Sequence, residues 1–209
     1  MGPSAGRPGG PALCDLSPSH PNTIEVFALD VADSEAIERA VDRVRTETGA
    51  LDLLVNNAGI SGGGQQDRFA GVDQETMMDV FRINAAGPHL MTKTFADLLR
   101  QSAADEPATV VSITSQLGSI ANTRRDAWHS YKASKAALNM CTRLQAEALR
   151  DDNVIAVALH PGWVRTDMGG SSARLSPEES VENMIGVVAN LSLDDSGRFL
   201  THDGRELPW

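Results

Sequence analysis

Leu51-Asp52-Leu53-Leu54-Val55-Asn56-Asn57-Ala58-Gly59 is a short, near-continuous apolar run that ends in a glycine-bearing turn. A run of this length without polar alternation predicts a strand buried on both faces, as in a parallel sheet. Upstream, Ile24 to Val31 is a second apolar run rich in β-formers and predicts another buried strand. Between the two, Asp33 and Ser34 start a helix in which Ile37, Ala40, Val41 and Val44 recur at helical spacing, and Gly49 stops it. Downstream the alternation continues. A long helical stretch runs from about Asp73 to Leu99, a strand from Thr109 to Thr114, a helix from Ser130 to Arg150 and a strand from Val154 to Leu159. A helix from Pro177 to Leu191 has proline in its first turn and Glu178 and Glu179 placed to favour its N-terminal dipole. Arg198 to Thr201 is a last short strand. Strands alternating with helices imply βαβ crossovers, so the expected class is α/β, a doubly wound parallel sheet in a single domain.

The chain has 209 residues, 41% hydrophobic and 22% charged, with a formal net charge of -10. That charge argues against nucleic acid and anionic membrane as partners. No apolar run reaches the length of a membrane span. Cys14 and Cys141 lie far apart and in no metal-ligand spacing, which points to a reduced, cytoplasmic protein without a metal site. Residues 1–20 form a Gly/Pro-rich leader expected to be disordered, and residues 21–209 form the folded domain.

Ligands of open parallel sheets sit beyond the carboxyl ends of the strands. Asp30, Asn56 to Gly59, Ser115 and Pro161-Gly162 fall at those ends. Tyr131, the only tyrosine, stands four residues before Lys135, one helical turn away on the same face. A free phenol is a poor base at neutral pH, and a neighbouring ammonium lowers its pKa. Such a tyrosine can exchange a proton with a hydroxyl or carbonyl. Ser115 reads either as a strand-end cap or as a donor to a carbonyl oxygen that gains negative charge. Asn84, inside the long helical stretch, reads either as a local kink or as a distortion that holds a proton-relay water. The Asn56–Gly59 and Pro161–Thr166 sequences are, taken singly, simple turns.

Taken together and in order, these pieces resemble the short-chain dehydrogenase/reductase family. The pieces are Asp30 in Leu29-Asp30-Val31, Asn56-Asn57-Ala58-Gly59, Asn84, Ser115, Tyr131-Lys132-Ala133-Ser134-Lys135, and Pro161-Gly162 with Thr166. The likeness covers about residues 20–209. His160 to Gly170, the sixteen-residue gap from Ser115 to Tyr131 and the ending Asp203 to Trp209 are similar to its C-factor-like or sniffer-type carbonyl reductase branch. The resemblance implies a Rossmann-type fold and an NAD(P)-dependent oxidoreductase acting on a small carbonyl or alcohol. It implies that Tyr131 is the general acid or base, that Lys135 lowers its pKa and bonds the nicotinamide ribose, that Ser115 polarises the carbonyl, and that Asn84 completes the relay. It places Asp30 and Val31 near the adenine. Asn56, Ala58 and Gly59 would form the cofactor floor, and Pro161, Gly162, Val164 and Thr166 the nicotinamide side. Gln116, Leu117, Trp163 and Met168 would line a mobile lid, and the long helices would pair two subunits as a homodimer.

The family's opening strand, glycine-rich turn, helix and second strand have no counterpart in the sequence. Gly2, Gly6, Gly9 and Gly10 follow no strand, and prolines interrupt them. The expected fold is therefore a Rossmann-type sheet lacking its first β-α-β segment, an N-terminally truncated member. A glycine-rich turn lets backbone amides reach a pyrophosphate, so binding of NADP or NAD should be weakened. Without the two missing strands the Ile24 and Leu51 strands face open edges. Either they pair directly, or a partner chain supplies the strand, or the chain folds poorly. The alternative function is a cofactor-binding-deficient, non-catalytic subunit or interaction protein. The choice between NAD and NADP is normally read after the missing second strand and stays open.

Overall fold

The computed structural model describes residues 20, 23–104 and 106–209. The expected leader therefore lies outside the described residues, His20 excepted. Helix α1 (Ser34–Glu47) is capped by Asp33, whose side chain accepts from the Glu35 amide. Strand β1 (Leu53–Asn56) follows, then α2 (Gln74–Phe81), a π-turn at Arg82–Ala86, and α3 (Gly87–Ser102). Next come β2 (Ala108–Ile113), α4 (His129–Ala148), β3 (Val154–His160), α5 (Pro177–Val188) and β4 (Phe199–Thr201). The sheet has the order β1-β2-β3-β4, and every neighbouring pair is parallel.

β3 explains why the central strands read as apolar runs: all seven of its residues are buried. Val154 and Ala156 belong to one core, with Ile37 and Val41 of α1 and Met91, Phe95 and Leu99 of α3. Ile155, Val157 and Leu159 belong to a second core against Met184, Val187 and Val188 of α5. Alternate side chains thus enter opposite layers, as a doubly wound sheet requires.

The strand expected over Ile24 to Val31 is a correction. The segment is not part of the sheet. Among the described residues it forms no strand ladder, and side chains anchor it to the domain. Phe27, Leu29 and Val31 pack on the first core. The Arg43 guanidinium lies 5.1 Å from the Phe27 ring centroid and is ion-paired with Glu25. β1 is consequently the sheet's edge among the described residues. It buries Leu54 and Asn56 but leaves Leu53 42% and Val55 48% exposed.

The helix expected from Asp73 to Leu99 is broken by the π-turn. A π-turn inserts one residue into the i→i−4 ladder and often marks a functional position. Asn84 sits inside it.

Candidate active site

Beyond the carboxyl ends of β2 and β3 lies a cleft of about 760 Å³. Ser115, Tyr131 and Lys135 line it, with Gly59 on one side and Pro161, Gly162, Val164 and Thr166 on another. Ser115 follows β2 and caps the short turn Gln116–Gly118, its Oγ accepting from the Leu117 amide. The serine is therefore a strand-end cap that also lines the cleft. The turn reaches α4 because Gly118 has no side chain: a Cβ there would lie 2.9 Å from the Lys135 carbonyl carbon. Thr114 Oγ1 donates to Asn139 Oδ1 at 2.6 Å and fixes the end of β2 to the same helix.

Asn84 is fully buried and makes three bonds. Its Oδ1 accepts from Ile60 N at 2.8 Å, and its Nδ2 donates to Ile60 O at 2.8 Å and Ser134 Oγ at 3.0 Å. The π-turn thus clamps the loop after β1 to α4. A Cβ on Gly59 would sit 3.3 Å from Asn84 Oδ1 and 3.6 Å from Lys135 Nζ, so this loop forms the cleft floor over both. Ser134 links Asn84 to the Tyr131 carbonyl, to which its hydroxyl donates at 2.8 Å.

The electrostatics depart from the expected direction. Burial pushes the Tyr131 phenol up, and its bond with the Ser115 hydroxyl opposes this only in part. Lys135 Nζ donates to Ile113 O at 2.8 Å and lies 5.7 Å from the phenol ring centroid. Burial also lowers the ammonium itself to about 8. A phenol raised in this way stays protonated at neutral pH, the state a proton donor needs.

Trp128 precedes α4 with φ 61°, ψ 39°, a left-handed conformation rare for a bulky residue. Its ring meets Tyr131 edge-on at 5.7 Å. Strain of this kind persists only where the surroundings enforce it. His160, at the end of β3, also lines the cleft, and burial lowers it to about 4, so it stays neutral. Neither residue, nor Ser134, was given a role by the sequence; His160 and Ser134 stand there only as members of longer motifs. Gln116, Leu117, Trp163 and Met168 line the cleft.

The remaining predicted residues lie elsewhere. Asn56 is buried, and its Nδ2 donates to Thr92 Oγ1 at 3.1 Å, tying β1 to α3. Ala58 is exposed and outside the cleft lining, where Asn57 takes a place instead. Asp30 is exposed and accepts from the Ala32 amide at 2.9 Å; the Val31 carbonyl lies against Gly87 at the start of α3. Neither reaches the cleft. The cleft therefore has a floor and two walls. Among the described residues before β1, no glycine-rich turn stands between a strand and a helix.

Residues 13–175 match the model of the short chain dehydrogenase family. The C-signal protein of Myxococcus xanthus is 42% identical over 162 residues, 78% of this chain and 95% of that protein. The carbonyl reductase Sniffer of D. melanogaster superposes with a TM-score of 0.90 at 32% identity, over 95% of this chain and 83% of that one. An NADPH-bound carbonyl reductase from chicken fatty liver does so at 0.88 with 35% identity, over 95% and 82%.

Proposed function

The chain belongs to the short-chain dehydrogenase family, and from that premise we propose that it reduces small carbonyl compounds with NADP(H) or NAD(H) through Ser115, Tyr131, Lys135 and Asn84. The observation that carries this reading is the convergence of Ser115, Tyr131 and Lys135 on one cleft, over a loop that Asn84 clamps. NADPH-bound carbonyl reductase among the structural relatives supports the cofactor class.

Bound at Gly59, Pro161, Gly162, Val164 and Thr166, a nicotinamide would supply the hydride. The chain's own residues manage the proton and the charge. Ser115 Oγ donates to the substrate carbonyl oxygen as negative charge builds there. Tyr131, kept protonated by burial, gives that oxygen its proton. Lys135, positively charged below about pH 8, supports the phenolate left behind. Asn84 holds the loop and α4 at a fixed spacing, so the proton path keeps its geometry. That no glycine-rich turn stands between a strand and a helix among the described residues before β1 supports weak cofactor affinity. The exposed Met78, Met140 and Leu144 on α2 and α4 support a homodimer through those helices. No helix among the described residues is long and apolar enough to cross a membrane, in keeping with a cytoplasmic site of action.

A second reading, a non-catalytic interaction subunit, draws support from the open β1 edge and its exposed Leu53 and Val55. The two are separated by following NADPH consumption with an aliphatic aldehyde at cofactor levels raised to compensate for weak binding. Turnover that disappears in Tyr131→Phe supports the reductase; no turnover by a folded chain supports the subunit.

A further inference from the structure

A second pocket of about 570 Å³ adjoins the cleft and shares Gln65, Gln116, Leu117 and Trp128 with it. It lies on the Ser115 and Tyr131 side, away from the walls at Pro161 to Thr166. Its lining holds Arg68, Arg124, Arg125 and Lys132 against a single carboxylate, Asp126. That local excess of positive charge stands on a chain of net charge -10.

The arginines here differ from the others. Among the described residues, all arginines but Arg68, Arg124, Arg125 and Arg174 lie within ion-pair distance of a carboxylate. Three of those four line this one pocket. Asp126 offsets only part of that charge: its Oδ1 accepts from the Phe69 amide at 3.0 Å and meets His129 Nε2 at 2.5 Å, and of the pocket's arginines Arg68 is the one whose charge acts on its carboxyl. The wall is also held in place. Ser119 Oγ donates to the Pro208 carbonyl at 2.6 Å, and the Ala121 amide donates to the Trp209 carbonyl. Lys132 Nζ donates to Arg125 O at 2.7 Å, closing the loop onto the first turn of α4. Guanidinium groups with no carboxylate at ion-pair distance fit carboxylate or phosphate oxygens, which they bind with paired N–H donors; Arg124 uses only its Nη1, on the Ala121 and Thr123 carbonyls.

We propose that this pocket binds an anionic group at the far end of the carbonyl substrate, a carboxylate or phosphate whose reactive carbonyl lies at Ser115 and Tyr131. The proposal rests on the reductase reading for the second half of that sentence only. Lys132, directly after Tyr131 in sequence, belongs to both the anion wall and the catalytic helix. Substrate charge thus selects which carbonyl compounds reach the phenol.

The test uses straight-chain aldehydes of increasing length ending in a carboxylate, each against its own methyl ester, and the same chain lengths ending in phosphate. Binding to the full chain is followed without cofactor through tryptophan fluorescence, to which Trp128 responds from both pockets; reduction is then assayed with NADPH. For the best-fitting length, an acid should bind about tenfold more tightly than its ester, the gain of one charge-assisted bond. Raised salt should shrink that ratio. Arg124→Gln/Arg125→Gln should erase it, while Arg174→Gln, which removes the same kind of charge elsewhere, should keep it. Both arginines are exposed, so the double variant should unfold as the parent does. The comparison of acids with phosphates identifies which anion the pocket prefers. Equal affinity for acid and ester at every length, or a preference that survives in the double variant or falls equally in Arg174→Gln, overturns the proposal. Esters reduced without any acid preference leave the reductase reading standing alone. An acid preference without any reduction leaves the anion site standing and sinks the reductase reading.

Discussion

β3 and β1 lie in the same sheet and meet different surroundings. Every residue of β3 is buried, shared between a core under α1, α3 and α4 and a core under α5. β1 has one covered face and one open one, and its outer edge pairs with no strand among the described residues. The chemistry follows the same division. Ser115, Tyr131 and Lys135 hang from the fully covered side, just after β2 and on α4. Asp30 and Val31, expected near the adenine, lie on the segment held only by side chains. The difference teaches that, on the reductase reading, the proton-transfer residues and the segment expected at the cofactor's adenine are separable parts of this fold: the first sit on elements that pack completely, the second is held by side chains.

The hardest blow to the catalytic side is Tyr131→Phe. It removes the proton donor while leaving the ring packed against Trp128, so reduction at raised cofactor should fall by about 10²–10⁴-fold with unfolding unchanged. Retained turnover would move the acid elsewhere in the cleft. The division itself is probed by two leucines of one sheet. Leu159→Ala in β3, where the side chain is fully buried, should cost about 2–5 kcal/mol in urea unfolding. Leu53→Ala in β1 should stay within about 0.5 kcal/mol. Equal costs would mean that something covers the β1 face and the comparison fails. The smallest effect is read from pH. Lys135 titrates at about 8 in the folded chain against 10.5 ordinarily. Between those values the unfolded chain binds the extra proton, so stability rises with pH across that window. Lys135→Met should flatten the rise, by up to about 3 kcal/mol; an unchanged profile would place the ammonium in water.

Periodicity made the alternation of strands and helices legible, and the ordered turn and Tyr131–Lys135 sequences made the site legible. Burial at β3 is uniform on both faces, so its pattern had one interpretation. Ile24 to Val31 has the composition of a strand and the structure of a side-chain-anchored segment, because composition cannot say whether neighbours are present to complete a ladder. Asn84 was readable as a kink or a relay residue; the π-turn makes it a clamp between two elements. The shift of the Tyr131 phenol ran opposite to the simple pairing rule, since the pairing rule knows spacing but not burial. The cationic pocket was invisible, because Arg68 and Arg124-Arg125 meet only when the loops after β1 and β2 fold toward α4.

The central claim, a complete proton-transfer site without a cradle for the pyrophosphate, is tested most directly by titrating the purified 209-residue chain with NADPH and NADH and following the bound nicotinamide's fluorescence. The account predicts weak or undetectable binding by a chain shown to be folded. Micromolar binding of either cofactor would contradict it and would require another set of backbone amides to take the place of the glycine-rich turn.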